Sequence, residues 1–164
     1  MDSGPSGVRV VSFLLEFSFV TNTHMRSSGE GANRRDRILI VDDDQDAREL
    51  IGQVLVEAGY AVEVAGDGFE AIAKLPRTLP DLVVTDLRMP GMHGADLTQR
   101  IRSQSDVPVV LTTGMETFDF CTDAAAYGAV ACLTKPINLE ELLWTIDLAL
   151  ALRRGGENVR SLFA

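Results

Sequence analysis

Cysteine is scarce in this 164-residue chain: Cys121 and Cys132 are the two present, eleven residues apart with no CxxC pair. That spacing points to neither a zinc site nor a disulfide framework, and suits a reducing cytoplasm. Basic residues are few, 15 against 24 acidic ones, for a net charge of -9 and a pI near 4.6. A partner held by phosphate contacts needs a basic surface, so no nucleic acid is expected. A long apolar run is also missing. The longest stretch, Val8 to Val20, is interrupted by Arg9 and Glu16. It is shorter than the roughly 20 residues a membrane helix needs, so no membrane is expected either. It lacks a strongly basic start and a small-residue cleavage site, which argues against a secretory signal. No phosphate loop of the GxxxxGK type occurs.

What is present is charge, and it is unevenly placed. Residues 1–35 carry a net of +1, and residues 36–164 a net of -10. The length suits one domain, and the acidic part is expected to be the folded one. Residues 1–36 read as an N-terminal extension, either a disordered tail or the product of a start placed too early, with Met25 as the true start. Residues 37–154 read as the domain, and 155–164 as a short tail.

Within the domain, short apolar runs alternate with helical periodicity. Ile38–Val41, Ala61–Ala65, Leu82–Thr85, Val107–Thr112 and Ala131–Leu133 read as strands. Ala47–Ala58, Phe69–Leu75, Ala95–Ser103, Thr117–Tyr127 and Leu139–Arg154 read as helices. Gly59 and Gly128 serve as stops and Asn138 as an N-cap. Strict alternation gives an α/β, doubly wound parallel sheet of five strands with helices on both faces. Such a sheet binds ligands beyond the carboxyl ends of its strands.

Those ends carry Asp42-Asp43-Asp44, Asp86, Thr112-Thr113 and Thr134-Lys135-Pro136. Several carboxylates on one edge repel unless they share a proton or a cation. Hard oxygen donors suit Mg²⁺. Lys135, one of only two lysines, adds a cation, and Thr113 adds a hydroxyl. Together these groups suit phosphoryl transfer onto an oxygen nucleophile. Asp44 fits better as a helix cap. Asp42-x-Asp44-x-Asp46 starts like a calcium loop but fails it at Ala47 and Gln53. Gly66-x-Gly68 fits a turn better than a dinucleotide fingerprint, and His93 fits a loop position better than a ligand.

The stretches ILIVDDD, DLVVTDLRMPGMHG, PVVLTTG and CLTKP, in that order, resemble the receiver domain of two-component response regulators. The resemblance covers residues 37–154. It implies a flavodoxin-like (βα)5 fold with strand order 2-1-3-4-5. It further implies that Asp86 accepts a phosphoryl group from a phosphohistidine. Mg²⁺ would be held by Asp43, Asp86 and the backbone carbonyl of Arg88, with Asp42 acting through water. Lys135 would pair with Asp86 and then with the phosphoryl oxygens, and Thr113 would move onto the phosphoryl group. Pro136 would follow a cis bond. The implied partners are a sensor histidine kinase or phosphotransfer protein and a downstream protein target.

The chain departs from that pattern at Cys132, three residues before Lys135, where an aromatic ring is usual. Arg88 and Met115 flank the expected pocket. The last helix has a second apolar stripe, Trp144, Leu148 and Leu152, which suits a partner or a homodimer. Few residues follow Arg154, so a stand-alone receiver signalling by protein contact is expected, and not a metabolic enzyme. The alternative is a phospho-independent interaction module of the same fold.

Overall fold

The computed structural model describes residues 8–9, 34–114 and 124–155. Its strands are β1 (Val8–Arg9), β2 (Arg37–Val41), β3 (Ala61–Ala65), β4 (Leu82–Asp86), β5 (Val109–Thr113) and β6 (Ala131–Thr134). Its helices are α1 (Gln45–Glu57), α2 (Gly68–Thr78), α3 (Gly94–Gln104) and α4 (Leu139–Arg153).

β2 to β6 form a parallel sheet in the spatial order β3-β2-β4-β5-β6. Counted among the five parallel strands, this is the expected order 2-1-3-4-5. Alternation along β2 explains its unbroken apolar sequence. Ile38 and Ile40 pack with Ile51 and Leu55 of α1 and with Leu142, Ile146 and Leu150 of α4. Leu39 and Val41 pack on the other face with Ala71 of α2 and Leu97 and Ile101 of α3. The helices that follow β2 and β4 therefore lie on opposite faces, and a crevice opens between these strands at their carboxyl ends. Each fully buried Leu or Ile contributes about 2–3 kcal/mol of burial free energy, which clamps the sheet from both sides.

Local chemistry sets the helix ends. Asp44, Asp67 and Asn138 cap α1, α2 and α4, each accepting backbone N–H groups of the first turn. Gly59 ends α1 with φ 97, in the left-handed region that glycine tolerates. The pattern predicted that α2 ends before Pro76, yet it runs to Thr78. Proline loses its own N–H bond and crowds the carbonyl four residues back, and this close to the end of α2 that cost does not stop the helix. The predicted helix over 117–127 lies largely outside the described residues. Its last residues form a turn closed by Gly128, φ 88.

β1 is an addition to the predicted architecture. Val8 stands opposite Leu133 and Arg9 opposite Cys132, antiparallel, on the outer side of β6. Among the described residues, no helix is long and apolar enough to cross a membrane.

Candidate functional site

Three strand ends converge at the carboxyl edge of the sheet. β2 runs directly into Asp42 and Asp43, β4 ends in Asp86, and β6 runs into Lys135. A carboxylate oxygen from each of Asp42, Asp43 and Asp86 lies within 4.8 Å of the other two. Asp42 and Asp86 are buried, and Asp43 is exposed.

Asp42 is held on several sides. One carboxylate oxygen accepts the Asp44 N–H (3.0 Å), and the other accepts from the Lys135 ammonium (2.9 Å). Its backbone N–H donates to Ala65 O (3.2 Å), and its carbonyl accepts from the Arg48 guanidinium. Asp44 points elsewhere, accepting from the N–H groups of Asp46 (3.0 Å) and Ala47 (3.4 Å) as the cap of α1. The sequence reading favoured that role for it.

Lys135 bridges two acids. Its Nζ is 2.9 Å from Asp42 and 3.4 Å from Asp86, so the nearer partner is Asp42 rather than the Asp86 that the resemblance implied. Burial pulls the Lys135 ammonium down, but the hydrogen bond and charge of Asp42 and the charge of Asp86 outweigh it and raise its pKa overall. Burial pushes the Asp86 carboxyl above the usual carboxylate range; Lys135 pulls it back, and Asp42 and Asp43 push it up again.

Thr113 ends β5 one residue past Thr112, the register partner of Asp86, and is itself the partner of Thr134. It is buried, its hydroxyl donates to Gly114 O (3.4 Å), and its carbonyl accepts the Lys135 N–H (2.7 Å). The Lys135–Pro136 bond is cis. Arg88 stands two residues past Asp86 with an exposed side chain. Met115 lies outside the described residues.

Gly94 sets the turn from β4 into α3. A Cβ there would fall 2.2 Å from the Asp86 carbonyl oxygen, so no larger residue fits without moving Asp86. His93 precedes it as the N-cap of α3 with no side-chain capping bond, in keeping with a loop position. At the Gly66 turn, Glu70 accepts the Gly66 N–H (2.7 Å), which places a carboxylate where a dinucleotide would need its phosphate.

Two features escaped the sequence reading. Arg48 braces the Asp42 carbonyl, although an arginine on a helix reads as a solvated residue. Cys132 is buried and disulfide-bonded, which corrects the reading that the cysteines form no disulfide. The one other cysteine in the chain, Cys121, lies outside the described residues. Residues eleven apart close a loop at modest entropic cost, so spacing alone was no argument against a bridge.

Among the described residues, three carboxylates and one ammonium leave two negative charges without an ion-pair partner. Like charges about 4 Å apart repel by about 4 kcal/mol at an effective dielectric constant near 20. The donor set is all oxygen, compact and partly buried, and so fits a small divalent cation such as Mg²⁺.

Residues 38–147 match the family model described as the response regulator receiver domain. The chain is 34% identical over 121 residues to the sensory transduction protein RegX3 of Mycolicibacterium smegmatis, covering 74% of this chain and 52% of RegX3. It is 39% identical over 110 residues to the DNA-binding response regulator MtrA of Mycolicibacterium paratuberculosis, covering 66% of this chain and 48% of MtrA. The chain thus spans about half the length of these curated relatives. Among solved structures, the chemotaxis protein CheY4 of Vibrio cholerae superposes with a TM-score of 0.66 at 34% identity, covering 71% of this chain and 99% of that one.

Proposed function

The chain belongs to the response regulator receiver domain family, and from that premise we propose that Asp86 is its phosphoacceptor, charged by a sensor histidine kinase or a phosphotransfer protein. The observation that carries this reading is the Asp42, Asp43 and Asp86 cluster with Lys135 bridging two of its members.

A carboxylate oxygen of Asp86 attacks the phosphorus of a phosphohistidine. The P–O bond forms as the P–N bond breaks, and the electron pair goes to the imidazole nitrogen, which takes a proton from solvent. Burial on the apolar sheet fixes the Asp86 carboxylate in place, so little orientation is lost on reaction. Lys135 stands 3.4 Å from Asp86, where its ammonium can offset charge on the transferred oxygens. Thr113 offers a hydroxyl from the neighbouring strand end, and its contact with the phosphoryl group is the switch. Asp43, Asp86 and the Arg88 carbonyl would hold Mg²⁺, with Asp42 acting through water; when bound, the ion supplies the positive charge that offsets the phosphoryl oxygens. Asp86→Asn should abolish phosphate incorporation from acetyl phosphate in Mg²⁺, read by intact-protein mass. Undiminished incorporation would reject the assignment.

The family is one of signalling modules rather than metabolic enzymes. The phosphorylated form acts in the cytoplasm through a surface contact with a downstream protein. The exposed Trp144 and Leu152 on α4 offer that surface, or a homodimer contact. A route through DNA belongs among the proposals too, because MtrA is a DNA-binding regulator. Cys132 favours a second reading, a phospho-independent interaction module, because it replaces an aromatic switch residue with a small buried one. Partner capture that is the same for wild type and Asp86→Asn, with and without beryllofluoride, would favour that reading.

A further inference from the structure

The three acids at the carboxyl edge are anchored to different degrees. The Asp42 carboxylate is tied to the Asp44 N–H (3.0 Å) and to Lys135 (2.9 Å). Asp86 is buried at the end of β4, with Lys135 3.4 Å away. Asp43 is exposed, and among the described residues its carboxylate has no hydrogen bond or ion pair. Its position is therefore set through the backbone. A peptide bond is planar, so the Asp42 carbonyl and the Asp43 N–H turn as one unit, and whatever holds that carbonyl orients the residue after it.

What holds it is Arg48, near the start of α1. Its guanidinium donates to the Asp42 carbonyl, and its backbone N–H donates to Asp44 O (3.1 Å), so one residue grips the acidic loop on both sides of Asp43. Arg48 is half-buried and is itself approached from α2. A Cβ on Gly66 would lie 3.7 Å from its Nη1 and 3.5 Å from a Glu70 carboxylate oxygen, so guanidinium and carboxylate converge on the bare face of Gly66. Glu70 is fixed in turn by Lys74 (2.7 Å) and by the Gly66 N–H (2.7 Å). Lys74, the Gly66 N–H and the Arg48 charge keep the Glu70 carboxyl below the usual carboxylate range, so it stays ionised and attracts the guanidinium.

Resting on the reading of Asp42, Asp43 and Asp86 as a Mg²⁺ site, we propose that Arg48 is its positioning residue: through the Asp42 carbonyl it sets the Asp43 carboxylate toward the other two acids, and Glu70 keeps the guanidinium in place. Charge alone predicts the opposite sign. A cation near a cation site repels the incoming ion, so deleting the Arg48 charge would tighten Mg²⁺ binding if Coulomb forces were all that mattered. Loss of a group that orients a metal ligand instead weakens binding, typically by about tenfold or more.

The test is a Mg²⁺ titration of the full chain, without a phosphate mimic, followed by backbone amide NMR shifts at the carboxyl edge. The same spectra report whether each variant is folded. Arg48→Met should weaken Mg²⁺ binding about tenfold, and Arg48→Lys, which keeps a charge and a donor, should bind within about threefold of the wild type. Glu70→Gln should weaken binding about twofold in the wild type and leave Arg48→Met unchanged, because Glu70 acts through the arginine. A folded Arg48→Met that binds Mg²⁺ as tightly as the wild type, or more tightly, overturns the proposal while the Mg²⁺ site stands. So does a Glu70→Gln loss of equal size in both backgrounds, or no loss in either. A wild type whose Asp43 and Asp86 amides do not respond to Mg²⁺ overturns both the role of Arg48 and the metal site it rests on.

Discussion

The two ends of the parallel sheet both gather aspartates, but they balance them in opposite ways. At the amino ends Asp81 accepts the Arg37 N–H (2.8 Å) and meets Arg34 (3.0 Å) and Arg153 (3.3 Å). Arg153 also reaches Asp106 (3.5 Å), and Arg154 pairs with Asp36. Every carboxylate in this group has a cation beside it. At the carboxyl ends three carboxylates share one lysine. The balanced end ties the approach to β2 to the end of α4, and serves the fold. The unbalanced end is held together against its own repulsion by the burial around it, and its missing charge is what a ligand can supply.

The largest effects should come from neutralising one acid at each end. Asp86→Asn should abolish phosphate incorporation and leave the metal-free protein as stable as the wild type or more so, since it removes a repelling buried charge. Asp81→Asn should do the reverse. Incorporation should persist, while stability in urea falls by about 1 kcal/mol, the partly exposed ion pairs contributing little beyond the backbone hydrogen bond. Parallel losses in both variants would break the contrast between the ends.

Lys135→Ala tests the one cation that, among the described residues, forms an ion pair with these carboxylates. Without it Asp42 and Asp86 face each other uncompensated, and metal-free stability should drop by about 1–3 kcal/mol at neutral pH, less than for a fully buried pair because Lys135 is part-exposed. Adding Asp42→Asn should recover part of that loss. A double-mutant cycle with no coupling would mean that the 2.9 Å contact contributes nothing. The raised Lys135 pKa gives the sign at alkaline pH: its stabilisation is complete below the ordinary lysine value and is lost as pH rises through the folded one.

The raised Asp86 pKa predicts the acid-side behaviour. The folded state binds that proton more tightly than the unfolded chain does. The Asp86 contribution therefore lowers stability as pH rises from the ordinary aspartate value through the folded one. Mg²⁺ should offset that penalty, so its stabilisation should be small where Asp86 is protonated and grow above that window, reaching about 1–3 kcal/mol at 10–100 times its dissociation constant. Thermal melts with and without Mg²⁺ across the acid range check this. A shift independent of pH would remove Asp86 from the cation site.

Most of the fold was legible because strands buried on both faces read as apolar runs, and because Asp44, Asn138 and Gly59 are local signals read within one turn. The site was legible for a related reason: strand ends can be found from strands, and Asp42, Asp86 and Lys135 stand there. What escaped was set by contacts between distant segments. β1 is two residues long and owes its strand conformation to β6. The preference of Lys135 for Asp42 depends on how far β6 extends past β2. Arg48 looks like any helical surface arginine until the Asp42 carbonyl lies beside it. The Cys132 disulfide left no trace in spacing.

The smallest expected effect gives the sharpest reading of the charge at the carboxyl ends. Among α1 to α4, α3 alone has an N-cap, His93, that makes no side-chain capping bond. Asn or Asp at that position should each add about 1 kcal/mol through a capping bond, and on an ordinary helix Asp gains slightly more from the dipole. Here the cap follows the loop from Asp86, on the side of the sheet already short of positive charge. His93→Asn should therefore stabilise the metal-free protein more than His93→Asp, by a few tenths of a kcal/mol, and Mg²⁺ should narrow the gap because it relieves the repulsion that Asp adds. If Asp matches or exceeds Asn without the ion, the uncompensated charge is confined to the three carboxylates and does not reach the helix beside them.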